Sequence, residues 1–285
     1  MIGTARLHRR RVSASLGTAV TLLCALLCAG ALLVILGYVV VQGIGSVNRA
    51  FLTQLPHPVG VPGGGVGNGI LGTVIIIAIA TAMAVPVGLL TAIYLALFGR
   101  GTVPETLRFL SDVLSGVPSI AIGLFAYTIL VAPLKHFSAF SASFAFMMLM
   151  LPLLVRTSEQ AIRSVPQTVR EGALALGMSN FRATMRIVLP TARPAIITAL
   201  LLAIARVTGE TAPLLFTAFG SQFWETNPNR PMAVLALQVF NYAISPYANW
   251  QAQAWGGALL LILAVLILSL GARYMLRQAS RRLES

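Results

Sequence analysis

Charge is what this sequence has least of. Only 9% of its 285 residues are Asp, Glu, Lys or Arg, against about a quarter in a soluble domain. Acids are the scarcer sign, 7 against 20 bases, which leaves a formal charge of +13. Cysteine is nearly absent: Cys24 and Cys28 lie one helical turn apart inside an apolar block and read as small hydrophobes, not as ligands or a disulfide. His8, His57 and His136 are far apart and outside the apolar blocks, so no metal-ligand spacing and no cofactor site is present. A Gly-x-x-x-x-Gly-Lys-Ser/Thr nucleotide grip is also missing, so hydrolysis of ATP is not expected of this chain. These shortages exclude a cytosolic enzyme, a disordered chain and a disulfide-stapled module. The high pI, about 11.3, raises nucleic-acid binding, but the cations fall in short stretches between apolar blocks without interleaved aromatics, so no nucleic-acid partner is expected.

What is abundant is apolar surface, 57% of the residues. It falls into six blocks near 16–42, 70–98, 113–133, 139–156, 191–219 and 253–273, each close to the roughly 20 residues of a spanning helix. None alternates at period two, which disfavours a β-barrel. The reading is an all-α integral membrane protein of six transmembrane helices in contact with lipid. The first block follows Arg6, Arg9, Arg10 and Arg11 and runs from Leu16 to Val41, longer than the roughly 7–15 apolar residues of a secretion signal. It is expected to be retained as a span. Pro86, Pro118, Pro152 and Pro213 fall inside the blocks, where neighbouring helices satisfy the freed carbonyls.

Orientation follows from the cations. With the N-terminus inside, the inner segments hold sixteen of them: four before the first block, Arg100 and Arg108, then Arg156, Arg163, Arg170, Arg182, Arg186 and Arg193, then Arg273, Arg277, Arg281 and Arg282. The outer loops hold three, Arg49, Lys135 and Arg230. Both termini (1–15 and 274–285) are therefore expected in the cytoplasm of a cell inner or plasma membrane protein. The outer loop 43–69 contains Gly63-Gly64-Gly65 and Gly67 and reads as a flexible lead into a core over 70–273. The outer loop 220–252 carries an apolar stretch, Met232 to Ala243, that suits an interfacial or gate-covering helix, with Trp224 and Trp250 as interface anchors.

The longest inner loop, 157–190, contains two helix signals. Ser164 is a candidate N-cap, Pro166 sits near the first turn, and Val165, Val169, Ala173 and Leu176 form an apolar set. Gly177 is placed to end that helix in the left-handed region. Ser179 opens a second helix, expected to stop at Pro190. By pattern this is either an amphipathic helix against lipid headgroups or a knob that docks on another protein. The run Glu171-Gly172-Ala173, three residues, Gly177, nine residues, Ile187-Val188-Leu189-Pro190 resembles the EAA loop of ABC importer permeases. It departs only at Gly172, where the family pattern has alanine. The resemblance implies the type I ABC importer permease fold, in which this coupling loop inserts into a cleft on an ATPase subunit. Its contact positions would be Glu171, Ala173 and Gly177.

The fifth block carries charge. Arg206 and Glu210, four residues apart, would share one face of a continuous helix from Leu200 to Phe219, with Pro213 next along it. Charge at membrane depth costs about 2.5 kcal/mol or more, so two roles compete: a self-neutralising pair that holds helices together, or an anion site built on the guanidinium fork. Arg206-Val207-Thr208-Gly209-Glu210-Thr211-Ala212-Pro213 resembles the corresponding segment of the PstA-type permeases of phosphate ABC importers. Gly64-Gly65-Val66-Gly67-Asn68, Ser115-Gly116-Val117-Pro118-Ser119-Ile120 and Leu151-Pro152-Leu153-Leu154-Val155-Arg156-Thr157 agree with it. The likeness covers roughly residues 60 to 275.

That resemblance implies a subunit passing inorganic phosphate, paired with a PstC-type permease, two PstB-type ATPase subunits and an external PstS-type binding protein. Arg206, Glu210 and Arg156 carry over as polar pathway residues, although the place of Arg156 at a span end suits snorkelling equally. Ser119, beside Pro118, either lines the path or bonds a freed carbonyl locally. Glu210 either accepts a hydrogen bond from the P–OH group of phosphate or pairs with an Arg of the partner permease. The alternatives are a permease for molybdate, sulfate or phosphonate, or an ion-coupled carrier, for which only one intramembrane acid is available.

Overall fold

The computed structural model describes residues 2–59, 61, 63–99 and 101–284, with side chains between Ala14 and Met275. Arg100 and the side chains of Arg6, His8, Arg9, Arg10, Arg11, Arg277, Arg281 and Arg282 lie outside the described residues. The described chain is helical nearly throughout. It begins with α1 (Ile2–Gly43), the short α2 (Arg49–Thr53), α3 (Gly67–Leu97) and α4 (Thr102–Gly116). Next come α5 (Ser119–Ala126), a π-helical turn (Tyr127–Val131), α6 (Ala132–Leu134), α7 (Ala139–Arg163) and α8 (Gln167–Ala175). A second π-helical turn (Thr184–Val188) joins α9 (Asn180–Ala183) to α10 (Leu189–Thr208), and α11 (Leu214–Thr217), α12 (Leu235–Ala243) and α13 (Ala248–Glu284) complete the order.

Five helices are long and apolar enough to cross a membrane: Ala14–Ser46, Gly67–Leu97, Ala139–Arg163, Asn180–Thr208 and Ala248–Met275. The sixth crossing, expected over 113–133, is a broken pair, Thr102–Gly116 and Ser119–Leu134, bent by 104°. Proline at 118 disfavours helical backbone at the preceding residue, and Val117 is extended (φ −67°, ψ 130°). Residues 113–116 therefore belong to α4, and helix resumes at Ser119.

Small residues let the spans approach closely. α3 and α7 form the most extensive pair, with Ala80, Ala84, Ala142 and Ala145 wholly buried. Ser143 of α7 donates to the Ile76 carbonyl of α3 at 3.1 Å. α10 packs on α7 and α13 through Ala199 and Ala203, and the Thr198 hydroxyl reaches the Ala272 carbonyl at 3.3 Å. Phe146, Met150, Leu154, Val207 and Leu214 fill the centre. α1 stands largely outside this bundle and meets α13 through its last turns, where Tyr38 sets its ring edge on Trp255 at 5.2 Å. Cys24 and Cys28 are free and exposed on α1.

The described parts of segments 43–69 and 220–252 are more ordered than expected. The glycine run at 63–65 is packed on α2: Gly65 N–H donates to Leu55 O at 3.0 Å, Val66 N–H to Phe51 O at 2.8 Å and Gly67 N–H to Gln54 O at 3.1 Å. The apolar stretch forms α12 only from Leu235, with Leu235, Ala236, Leu237, Gln238 and Tyr242 buried and Phe240 exposed, and it packs on α3 and α13. Trp250 stacks on Tyr242 of α12 at 4.8 Å and so serves packing; Trp224 is half exposed and covers Gly67. Glu225 accepts the Asn227 and Thr226 amides and faces Arg230, which holds its carboxyl below the usual range.

A Cβ at Gly65 would stand 2.5 Å from Phe51 O, 2.6 Å from Ala50 O and 2.8 Å from Gln54 O. Gly65→Ala is therefore expected to cost about 1–3 kcal/mol by overpacking, read as a fall of several degrees in the Tm of the purified protein.

Candidate functional site

The fifth span does not run to Phe219. It begins at Asn180, continues through Pro190 and ends at Thr208. Pro190 fails to stop it because the π-helical turn just before shifts the hydrogen-bond register, with Leu189 N–H donating to Thr184 O, and because proline lacks only a donor that a first helical turn leaves unused. The end at Thr208 is also local. Gly209 leaves the helix, and Pro213 has no N–H to return to the Gly209 carbonyl. Glu210 N–H bonds Val207 O at 3.1 Å, and Leu214 N–H bonds Thr211 O at 3.1 Å, in turns instead of helix. Pro213 caps α11 and its backbone lies against Gly123, where a Cβ would stand 2.5 Å from Pro213 Cα. The break in the fifth span thus rests on the second turn of α5, just beyond Ser119. Irregular backbone within a bilayer persists only where protein covers it or a wet cavity receives it.

This break changes the expected geometry of Arg206 and Glu210. They do not continue one helical face, and among the described residues they form no ion pair with each other or with another side chain. Arg206 is exposed on the last turn of α10 and Glu210 is half-buried just beyond it. The self-neutralising pair is therefore not what the chain builds. Ser119, half-buried at the start of α5, bonds no carbonyl among the described residues. A free guanidinium, a free carboxylate and a free hydroxyl thus lie on two elements that touch at Gly123 and Pro213.

Arg156 is elsewhere. Its Nε lies 2.9 Å from Asp112 Oδ1 and its Nη2 donates to Asp112 Oδ2 at 3.2 Å. Its Nη1 is 3.4 Å from Glu159 Oε2. Glu159, 3% exposed, also receives Arg108 Nε at 2.8 Å and Arg163 Nη2 at 3.0 Å. Arg108 and Arg163 share the Leu95 carbonyl near the end of α3, at 2.9 and 3.2 Å. Arg156 belongs to this cluster instead of reaching toward headgroups. Sequence reasoning missed Glu159, although Arg156-x-x-Glu159-x-x-x-Arg163 sets both arginines beside the acid on any helix.

The loop between α7 and α10 turns at the expected glycine. Gly177 has φ +79°, its N–H reaches Leu174 O at 3.0 Å, and Met178 N–H reaches Ala173 O at 3.2 Å. Ser164 is a correction: it closes α7, its hydroxyl donating to Ala161 O at 2.8 Å, and Pro166 caps α8. Ser179 caps α9 as expected. Of the apolar set only Ala173 is buried. Val169 is exposed, and Leu176 is 84% and Phe181 69% exposed, so the loop presents apolar side chains outward. Glu171, Gly172 and Pro190 are exposed, Ile187 and Leu189 half-buried. The Glu171 carboxylate accepts Gln167 Nε2 at 2.7 Å, and nothing crowds Gly172.

Residues 84–285 of this helical bundle match the family of binding-protein-dependent transport system inner membrane components, which makes it a membrane permease component. The chain is 43% identical over 235 residues to the phosphate transport system permease protein PstA of Yersinia pestis, covering 82% of this chain and 80% of that one. It is 40% identical over 249 residues to PstA of Pasteurella multocida, covering 87% and 88%. An inward-facing structure of the MetNI methionine ABC transporter superposes with a TM-score of 0.63 at 14% identity, over 75% of this chain and 95% of that one; it shares the fold. The chain belongs to this family of inner membrane components and, within it, to the PstA-type permeases.

At Gly177 the positive φ, not crowding, sets the tolerance, since no atom lies near a Cβ built there. Gly177→Val is expected to open the loop and raise tryptic cleavage at Arg170 and Arg182 in native membranes about tenfold, whereas Gly177→Asn, which enters that region readily, should stay near the wild-type rate.

Proposed function

We propose that this chain is the membrane-spanning subunit through which an ATP-driven importer moves inorganic phosphate inward. The observation that carries the reading is Arg206: an exposed guanidinium without a partner among the described residues, on the last turn before a break in a spanning helix. Such a charge has to face water, an anion or a second protein. A guanidinium offers a planar fork to an oxyanion, and the relatives at 40–43% identity are named for phosphate transport. Because Arg206 is exposed and Ser119 only half-buried in the single chain, the passage is completed by a homologous PstC-type permease on that side. Glu210 accepts the hydrogen bond of the P–OH proton that phosphate keeps near neutral pH, which sulfate cannot offer, so the same carboxylate repels sulfate.

ATP is hydrolysed on a pair of PstB-type subunits that receive the loop around Glu171, Ala173 and Gly177. The exposed Leu176 and Phe181 support a protein partner there, since isolated headgroup contact would favour the cations. Phosphate arrives from an external PstS-type binding protein, and both termini lie in the cytoplasm with the Arg-rich loops.

The test is ATP-dependent uptake of radiolabelled phosphate by the four-component assembly in proteoliposomes. Arg206→Ala is expected to lower uptake about tenfold or more, the scale of a lost charge-assisted hydrogen bond, with all partners still co-purifying. Wild-type uptake that molybdate or sulfate suppresses as well as phosphate does would reassign the substrate. Glu210→Gln should admit sulfate; if it transports phosphate normally and excludes sulfate, Glu210 pairs with the partner permease instead.

A further inference from the structure

We infer that Glu159 is a positioning residue that ties the coupling loop to the entrance of the third span, so that movement at the loop reaches Pro118. This inference rests on the proposed docking of that loop on an ATPase.

The connection can be followed atom by atom. α7 ends at Arg163 and passes through Ser164 and Pro166 into α8, the first helix of the loop. One turn back from Arg163, Glu159 is almost completely buried, and it collects Arg163 from its own helix and Arg108 from α4 on the same oxygen, Oε1. Its other oxygen turns Arg156 toward Asp112, which lies four residues before Gly116, the last residue of α4. Beyond Gly116 come the 104° bend and Ser119. The links are helices, the short turn Ser164–Pro166, and the charge-assisted contacts of Glu159 with Arg156 and of Arg156 with Asp112. The Leu95 carbonyl, held by the same two arginines, adds the end of α3 to the joint.

The two ends of this joint differ in strength. The Glu159 end is buried, with a side-chain exposure of 4% against 20% for Arg108. The Asp112 end is open, 57% exposed, with Arg156 at 35%. A screened pair breaks easily, and a buried one does not. A buried ion pair is also a poor choice for stability alone, because apolar residues of similar volume serve as well or better. Its use here is directional: α4 stays attached near Arg108, while its last turn is free to swing as Arg156 and Asp112 part. Three guanidiniums face two carboxylates in the cluster, so neutralising Glu159 leaves the arginines repelling one another with only exposed Asp112 to answer them.

The experiment uses the complete assembly in proteoliposomes, measuring ATP hydrolysed and phosphate moved in the same vesicles. Glu159→Gln is expected to keep hydrolysis within about twofold of wild type while phosphate moved per ATP falls about tenfold or more, the scale of a lost charge-assisted bond. Asp112→Asn, at the exposed end, should lower the same ratio less. The exchange Asp112→Arg with Arg156→Asp should recover it where each single change does not. Hydrolysis and uptake falling in proportion in Glu159→Gln would make the cluster a structural brace and overturn the inference, and so would a wild-type ratio in both Asp112→Asn and the single reversals. If Glu159→Gln fails to assemble, the exposed-end variants decide alone. Failure of the wild-type assembly to couple hydrolysis to uptake would sink the proposed function instead.

Discussion

In hydrocarbon every backbone N–H and C=O must find a partner within the protein, and the architecture follows from where this chain breaks that pattern. Helices satisfy it along their length, and the prolines at 86, 152 and 194 are absorbed inside spans. Two interruptions remain, at Val117-Pro118 and at Gly209–Pro213. Contact between Pro213 and Gly123 places the second against the first turns after the other. The interruptions of two helices thereby meet through one contact, four residues beyond Ser119 and three beyond Glu210.

The arginines of the described residues differ in what holds them. Arg108, Arg156 and Arg163 are paired with Glu159, Asp112 and the Leu95 carbonyl. Arg206, like Arg49, Arg182, Arg186, Arg193 and Arg273, has no side-chain partner among the described residues. Arg156 looked equally polar in the sequence and falls on the other side of that division.

Most of the span count was legible because long apolar runs report hydrocarbon thickness directly, and the Gly177 turn was legible because glycine enters that backbone region without the steric cost of a Cβ. The breaks were not. Apolar content is blind to whether a run is one helix or two, so the bend at Pro118 and the end at Thr208 were both read as continuous span. Proline misled in both directions: Pro190 was expected to stop a helix that a π-helical turn carries through, while Pro213 was read as interior to a span and instead caps α11. Ser164 matched a cap pattern that the end of α7 used first. Glu159 was passed over because attention fell on the charges deepest in the apolar blocks, although its spacing from Arg156 and Arg163 was visible.

The π-helical turn at 184–188 makes one rod of the loop's second helix and the fifth span, 29 residues from Asn180 to Thr208. At 1.5 Å per residue its length is about 40 Å. Its foot stands next to the Gly177 hairpin and its head carries Arg206. For a rod of that length, each degree of tilt about the foot displaces the head by about 0.7 Å, so a motor that rocks the base by only a few degrees carries the guanidinium across a distance comparable to an ionic radius.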